Sequence, residues 1–96
     1  MNQRLYILIS NTLNPVYGCV QGGHAVAQWL LDNKNSQNWN NQYLIYLSAD
    51  IYKWKLKLEL EDIKFSCFYE PDMNNTLTAI AVQAPESFFK KLHPII

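Results

Sequence analysis

Residues 20–28, VQGGHAVAQ, contain the side chains with the clearest chemical potential. An imidazole ionises near neutral pH, so His24 is a candidate for proton transfer. The primary amide of Gln21 can donate a hydrogen bond to a carbonyl or phosphate oxygen. Gly22 and Gly23 leave the backbone bare, and each glycine inside a helix costs roughly 1 kcal/mol relative to alanine. The pair predicts either a helix that begins after Gly23, or a helix backbone approached closely by a ligand or by the sheet.

A second group of candidate residues lies in the segment EPDMNN, residues 70–75. If Glu70 or Asp72 lies beside His24, its carboxylate would fix the imidazole tautomer and favour the charged form of the ring. If a helix begins after Gly23, the free N–H groups of its first turn would attract an oxyanion or a phosphate. The alternative for EPDMNN is a plain turn with solvated carboxylates, because Pro, Asp and Asn favour turns.

Metal and cofactor sites are not expected. Cys19 and His24 are five residues apart with no second pair of ligands, and GCVQGG lacks the GxGxxG pattern. Cys19 and Cys67 have no CxxC spacing, which favours a reduced, cytoplasmic location. No apolar run approaches the ~20 residues that cross a bilayer, so no membrane association is expected. His93 has no motif around it and receives no role.

The elements that must position these residues follow from the apolar pattern. Four segments rich in β-branched and aromatic residues predict strands, at residues 4–10, 43–48, 64–70 and 76–82. Three of them are apolar at nearly every position, as expected of strands covered on both faces by helices. The predicted class is therefore α/β, and the 96 residues, 49% of them apolar, suffice for one domain spanning residues 1–96.

The segments between the strands predict the helices and loops. Residues 17–31 form the first crossover helix, and the asparagine-rich residues 32–42 form a loop with Trp39 as its apolar anchor. Residues 50–62 alternate apolar and charged side chains like a strand. We nevertheless predict a helix, because Leu, Lys and Glu are helix formers and parallel strands need a crossover. Residues 85–92 predict a short terminal helix.

Charge sets a limit on nucleic-acid binding. The formal net charge is zero, so any nucleic-acid partner must be held by a local patch. The densest basic run contains Lys53, Lys55 and Lys57, but acidic residues follow at once at positions 59, 61 and 62. On a helix such charges form i,i+4 pairs, so we interpret this run as an ordinary solvated face.

Written out as an order of elements, the chain resembles the archaeal and eukaryotic type of peptidyl-tRNA hydrolase, the second family of that enzyme, over about residues 4–92. The resemblance rests on VQGGHAVAQ and on FSCFYEPDMNNTLTAIAV, residues 65–82. It implies a three-layer α/β/α sandwich whose four-stranded mixed sheet has the order 2-1-4-3, with the last strand antiparallel. It also implies a carboxylic ester hydrolase that cleaves the bond between a peptide and the tRNA 3′ end.

The resemblance also assigns roles to individual residues. The catalytic residues would be His24, Glu70 and Asp72, and the substrate-binding residues would be Gln21, Gly22, Gly23, Tyr17 and Thr78, with Thr76 as the alternative threonine.

The chain departs from the family before the glutamine, where the family has one or two lysines. Here the segment NPVYGCVQ has Pro15 and Tyr17 at the nearest positions, and EPDMNNTL contains no arginine. Both changes remove cations that would bind phosphate, although Tyr17 could stack on an unpaired base. The alternative function is therefore a non-catalytic binding or assembly module with the same fold, with a homodimer among its expected forms. A third alternative is hydrolysis of another small ester or amide.

Overall fold

A computed structural model describes residues 3–36 and 38–95. Over these residues the chain forms two α-helices, five strands and two 3-10 turns. In chain order they are β1 (Arg4–Ser10), α1 (Pro15–Asp32), β2 (Tyr43–Ala49), α2 (Ile51–Leu60), β3 (Phe65–Glu70), a 3-10 turn (Pro71–Met73), β4 (Thr76–Val82), a second 3-10 turn (Glu86–Phe89) and β5 (His93–Pro94). The predicted loop at residues 32–42 includes residue 37, which lies outside the described residues.

All five strands belong to one mixed sheet in the order β3-β4-β1-β2-β5. Strand β1 is parallel to β2, whereas β4 is antiparallel to both β1 and β3. The four longer strands therefore have the predicted order 2-1-4-3 with the fourth antiparallel. The predicted total of four strands is wrong, because β5 pairs with the outer edge of β2. Two residues are too few to show an alternating pattern, and a proline is tolerated in an edge strand.

Helices cover both faces of the sheet, which confirms the α/β class and gives three layers. Alternate residues of β1 point to opposite faces. Leu5, Ile7 and Ile9 pack in the cluster that contains Trp29 of α1. Tyr6 and Leu8 pack in a second cluster with the buried side chains of α2. We call these two sides the α1 face and the α2 face.

Helix α1 begins at Pro15, so of the two alternatives for the glycine pair, a helix that starts after Gly23 is wrong. The side chain of Asn14 accepts a hydrogen bond from the backbone N–H of Tyr17 at 2.9 Å, which is an N-cap contact, and Pro15 occupies the first turn. Gly22 and Gly23 therefore lie in the helix interior. A Cβ atom on Gly22 would come within 2.7 Å of the Tyr46 ring, whereas one on Gly23 would meet nothing within 4 Å. Close approach of the helix backbone to the sheet is therefore confirmed for Gly22 and not for Gly23.

Helix α2 confirms the helical prediction for residues 50–62. Its buried residues are Ile51, Trp54 and Leu58, with spacings of three and four that put them on one side of a helix. Leu56 and Leu60, which a strand would have buried with Trp54, are 57% and 77% exposed. The side chains of residues 51–60 are therefore buried at the spacing of a helix and not at the alternating spacing of a strand.

The predicted terminal helix at residues 85–92 is reduced to the 3-10 turn Glu86–Phe89. Phe89 is buried, with its ring 4.3 Å from that of Tyr6 and 5.6 Å from that of Trp54. The chain then turns, and Ile95 donates a backbone hydrogen bond to Tyr46 at 3.0 Å. After residue 89 the chain therefore forms strand β5 beside β2, and the helix does not continue.

Candidate functional site

Three polar side chains from separate elements meet between α1 and the sheet. The Nε2 group of Gln21, in α1, donates a hydrogen bond to Oε1 of Glu70, at the end of β3, at 2.8 Å. The Oγ1 hydroxyl of Thr78, in β4, donates to Oε1 of Gln21 at 2.5 Å. Gln21 and Thr78 are fully buried, and Glu70 is 9% exposed. We call this group the Gln21–Glu70–Thr78 network.

A break in the sheet register turns Thr78 toward this network. Phe68 pairs with Ala79, but Tyr69 pairs with Leu77, so Thr78 is the extra residue of a β-bulge. Bulges redirect the side chains next to them. In a regular strand Thr78 would point to the same face as Ile80, which packs on the α2 face. The bulge allows the Thr78 hydroxyl to reach the α1 face.

Glu70 accepts hydrogen bonds on both of its carboxylate oxygens. Oε1 also accepts from the Tyr17 hydroxyl at 3.4 Å, and Oε2 accepts from the backbone N–H of Asp72 at 3.2 Å. The bond from Gln21, followed by that from Asp72, lowers the pKa of the Glu70 carboxyl, although burial acts in the opposite direction. The charge of His24 and the Tyr17 hydroxyl lower it further. Glu70 is therefore a carboxylate at neutral pH.

Tyr17 stays protonated in this environment. Desolvation, followed by the negative charge of Glu70, raises the pKa of the Tyr17 hydroxyl above its usual value. The hydroxyl can then only donate to the carboxylate, which agrees with the geometry of their contact. The position where the resemblance expects a lysine thus holds a neutral donor.

His24 lies one turn of α1 beyond Gln21 and is exposed. Its ring stacks on the ring of Phe68, with centroids 4.4 Å apart and an interplanar angle of 9°. Across residues 3–36 and 38–95, His24 forms no hydrogen bond with Glu70 or Asp72. The expected hydrogen-bonded pair of imidazole and carboxylate is therefore absent. The influence of His24 on Glu70 is electrostatic, and the stacking on Phe68 sets the plane of its ring.

Two other expectations for the site need correction. Asp72 is exposed, and it takes part through its backbone N–H while its carboxylate has no hydrogen-bond partner within the described part of the chain. The N–H groups of Gly22 and Gly23 cannot serve as free first-turn donors, because both residues lie inside α1, beyond its first turn. Gly22 is buried and Gly23 is exposed beside His24.

Phe68 is the site residue that sequence reasoning missed. It lies two residues before Glu70 in β3, and strand periodicity would place the two side chains on one face. That spacing was the available signal, but an aromatic residue in a strand is usually part of the core. Here the Phe68 ring is half-buried and carries His24 on its surface.

The site is acidic. Among the described residues, no lysine or arginine forms a hydrogen bond or ion pair with Glu70, and no three His, Cys, Asp or Glu side chains are grouped so that they could hold a metal ion. The described helices include none long and apolar enough to span a bilayer. The carboxylate is thus hydrogen-bonded by neutral donors rather than paired with a lysine or arginine.

No protein-family model matches the chain, and no curated protein matches it significantly.

Proposed function

We propose that the chain is a peptidyl-tRNA hydrolase-like domain that cleaves the ester between a peptide and the tRNA 3′ end. The observation that carries the proposal is the Gln21–Glu70–Thr78 network with His24 beside it. The resemblance selected these four residues from segments far apart in the chain. Three of them bond to one another, and the charge of the fourth acts on Glu70.

In the proposed reaction, His24 takes a proton from a water molecule that attacks the ester carbonyl. The tetrahedral intermediate collapses by breaking the bond to the ribose oxygen, and His24 returns the proton to that oxygen. The interaction between Glu70 and His24 is electrostatic, since the two do not share a hydrogen bond. Gln21, whose amide is held by Thr78, keeps Glu70 ionised and in place. The protonated Tyr17 hydroxyl donates its one proton to Glu70, so it would have to leave that contact to donate to the oxyanion.

The test is hydrolysis of an N-acetylaminoacyl-tRNA by the purified chain, measured as release of the free acid. Loss of a proton-transfer group costs about 10²–10⁴-fold, so His24→Ala should reduce the rate by that order. The matched control is His93→Ala, because His93 is also exposed and lies in β5, at the opposite edge of the sheet from β3. His93→Ala should retain the wild-type rate.

Two results would contradict this function. Release by the wild type no faster than in buffer alone would exclude the hydrolase. Equal rates for wild type and His24→Ala would remove His24 from the chemistry. Circular dichroism of each variant separates loss of activity from loss of the fold.

The alternative function is a non-catalytic binding or assembly module, and the acidity of the site favours it. Glu70 has no cationic partner among the described residues, Asp72 is beside it, and Tyr17 stands where the family has a lysine. Such a surface repels RNA phosphates. If the chain is such a module, a short RNA with the tRNA acceptor-end sequence should bind wild type and Tyr17→Ala equally, or should bind neither. Binding to wild type that is lost in Tyr17→Ala would contradict the non-catalytic function.

Sedimentation measures whether the module is a homodimer.

A further inference from the structure

A groove of about 610 Å³ lies between α2 and the C-terminal segment. Its size falls in the range of about 300–1,000 Å³ that is typical of small-molecule sites. Four lysines line it, and the rings of Trp54 and Phe88 form part of its wall. We call it the lysine groove; its lysines are Lys53, Lys57, Lys90 and Lys91.

The lysine groove concentrates positive charge in a neutral chain. The chain has eight lysines and arginines in all, so half of them line this one groove. Asp50 is the one carboxylate among its lining residues. Within residues 3–36 and 38–95, the ion pairs are Arg4 with Glu86 and Lys55 with Glu59, and neither includes a groove lysine. None of the four groove lysines is therefore ion-paired with a carboxylate among the described residues.

The helical geometry of α2 separates its lysines. Lys55 pairs with Glu59 at 2.8 Å, which is the i,i+4 pair that the sequence predicted. Lys53 and Lys57 form a like-charge i,i+4 pair on the groove side, an arrangement that destabilises an isolated helix. The Nζ atom of Lys57 lies 4.6 Å from the centroid of the Trp54 ring and 4.9 Å from that of Phe88. These cation–π contacts hold one ammonium group at the wall of the groove.

The fold brings two further lysines to the same place. Lys90 and Lys91 follow the 3-10 turn Glu86–Phe89, whose Phe89 ring packs on Trp54. That aromatic packing fixes the C-terminal segment against α2. The groove also reaches Asp50, the N-cap residue of α2, where the partial positive charge of the helix dipole adds to the ammonium charges.

We propose that the lysine groove binds two or more neighbouring phosphate groups, as found in a nucleoside triphosphate or along an RNA strand. Several ammonium groups around one groove suit adjacent phosphates, since lysine binds phosphate as a point charge. The partly exposed Phe88 ring offers an apolar surface for an attached base. The groove is separate from the Gln21–Glu70–Thr78 network, so this binding does not depend on hydrolase activity.

Calorimetric titration at low ionic strength tests the proposal with three probes: inorganic triphosphate, ATP and a five-nucleotide single-stranded RNA. Each should bind the wild type, and affinity should fall as salt rises. Equal affinities for triphosphate and ATP would mean that the groove recognises phosphates alone. Much tighter binding of the RNA would mean that the ligand is an RNA strand. The double substitution Lys57→Gln with Lys91→Gln should weaken binding about 10-fold or more.

The matched control is Lys34→Gln with Lys64→Gln, which changes the net charge equally at lysines outside the groove. It should alter affinity less than about 2-fold, because distant exposed charges are screened. Equal losses in the two double variants would mean attraction by overall charge and would overturn the proposal. Wild type that binds none of the three probes at low salt would also overturn it.

A substitution that removes a negative charge from the groove should strengthen binding, and it gives a second test in which the fold is kept. Asp50 makes no side-chain capping hydrogen bond, and asparagine is an equally good N-cap residue. Asp50→Asn should therefore leave α2 intact and tighten phosphate binding by about 3-fold. The matched control is Asp62→Asn, because Asp62 has a φ of 56°, which asparagine adopts readily. Unchanged affinity in Asp50→Asn, or an equal gain in Asp62→Asn, would contradict a phosphate site in the groove.

Discussion

On the α1 face of the sheet the main charged group is a carboxylate held by neutral donors, whereas on the α2 face it is a set of lysines without acidic partners. Glu70 receives hydrogen bonds from Gln21, Tyr17 and the backbone of Asp72. The lysine groove has one carboxylate at its wall, that of Asp50. A net charge of zero therefore conceals two regions of opposite charge. The Glu70 carboxylate on the first face is satisfied within the fold, and the lysines on the second are available to a ligand.

This difference predicts how substitutions on the two faces behave. Buried polar groups that lose their partners destabilise a protein, because desolvation is no longer compensated. Exposed charges contribute little to stability, but they determine the affinity for charged ligands. Substitutions on the α1 face should therefore change the free energy of unfolding, and those in the lysine groove should change binding.

The largest effect is expected for Gln21→Ala. The substitution leaves a cavity beneath α1 and removes the acceptor of the Thr78 hydroxyl, so the free energy of unfolding should fall by about 2–4 kcal/mol. Urea denaturation measures this change. The control is Gln28→Ala on the same helix, since Gln28 bonds to Asp32 at the surface and should contribute less than about 0.5 kcal/mol. Similar losses in the two variants would contradict a structural role for the network.

An intermediate effect is expected on acidification, and its sign follows from the direction of the shift. The pKa of Glu70 is lower in the folded chain than the ordinary glutamate value of 4.5. Its contribution to stability is thus fully present above that value and is lost as the pH falls through the folded pKa. Glu70→Gln should be less stable than wild type at pH 7, and the gap should narrow from pH 5 to pH 2. A gap independent of pH in urea titrations would contradict an ionised Glu70.

The adjacent glycines of α1 give a matched pair with effects of about 1 kcal/mol and opposite sign. In Gly22→Ala, the new Cβ would lie 2.7 Å from the Tyr46 ring and 2.9 Å from Ile9, so the helix must move away from the sheet and stability should fall by about 1 kcal/mol. In Gly23→Ala the Cβ enters open space, and better helix propensity should raise stability by about 0.5–1 kcal/mol. Thermal melts of both variants would contradict this assignment if the two changes had the same sign.

Gly23→Ala also tests the α1 face as a ligand surface. Gly23 is exposed next to His24, so a substrate that uses His24 would pass close to its Cα atom. A stabilised variant with reduced hydrolysis would indicate close approach of a ligand to bare backbone, the role that the sequence suggested for the glycine pair. Unchanged hydrolysis in the stabilised variant would leave Gly23 without a part in the site.

The four longer strands and the α2 helix could be predicted from the sequence because local pattern determines them. Residues 4–10 and 76–82 are apolar runs of strand length, and the structure assigns the same bounds. The start of α1 could not be placed, because glycines at positions 22 and 23 resemble a helix boundary. The stronger local signal was Asn14, a good N-cap residue, followed directly by Pro15 in the first turn.

The membership of the site was predictable only in part, since Phe68 was missed and the Asp72 side chain takes no part, and its geometry was not predictable. Gln21, His24, Glu70 and Thr78 were selected from residue types and from the resemblance. Their contacts depend on the bulge at Thr78, which is created by strand register and leaves no mark in the sequence. The lysine groove was not foreseen, because Lys90 and Lys91 meet α2 only through the packing of Phe89 on Trp54.

The smallest effect on stability is expected for Lys57→Gln, and it tests the α2 half of the comparison. The substitution removes cation–π contacts with Trp54 and Phe88, which is unfavourable, but it also relieves repulsion from Lys53. The two terms are each below about 1 kcal/mol and oppose one another, so the free energy of unfolding at low salt should change by less than about 0.5 kcal/mol. Urea denaturation without phosphate measures it. A loss above about 1.5 kcal/mol would mean that Lys57 is a structural residue. The expectation that substitutions in the lysine groove change binding and leave stability unchanged would then be wrong.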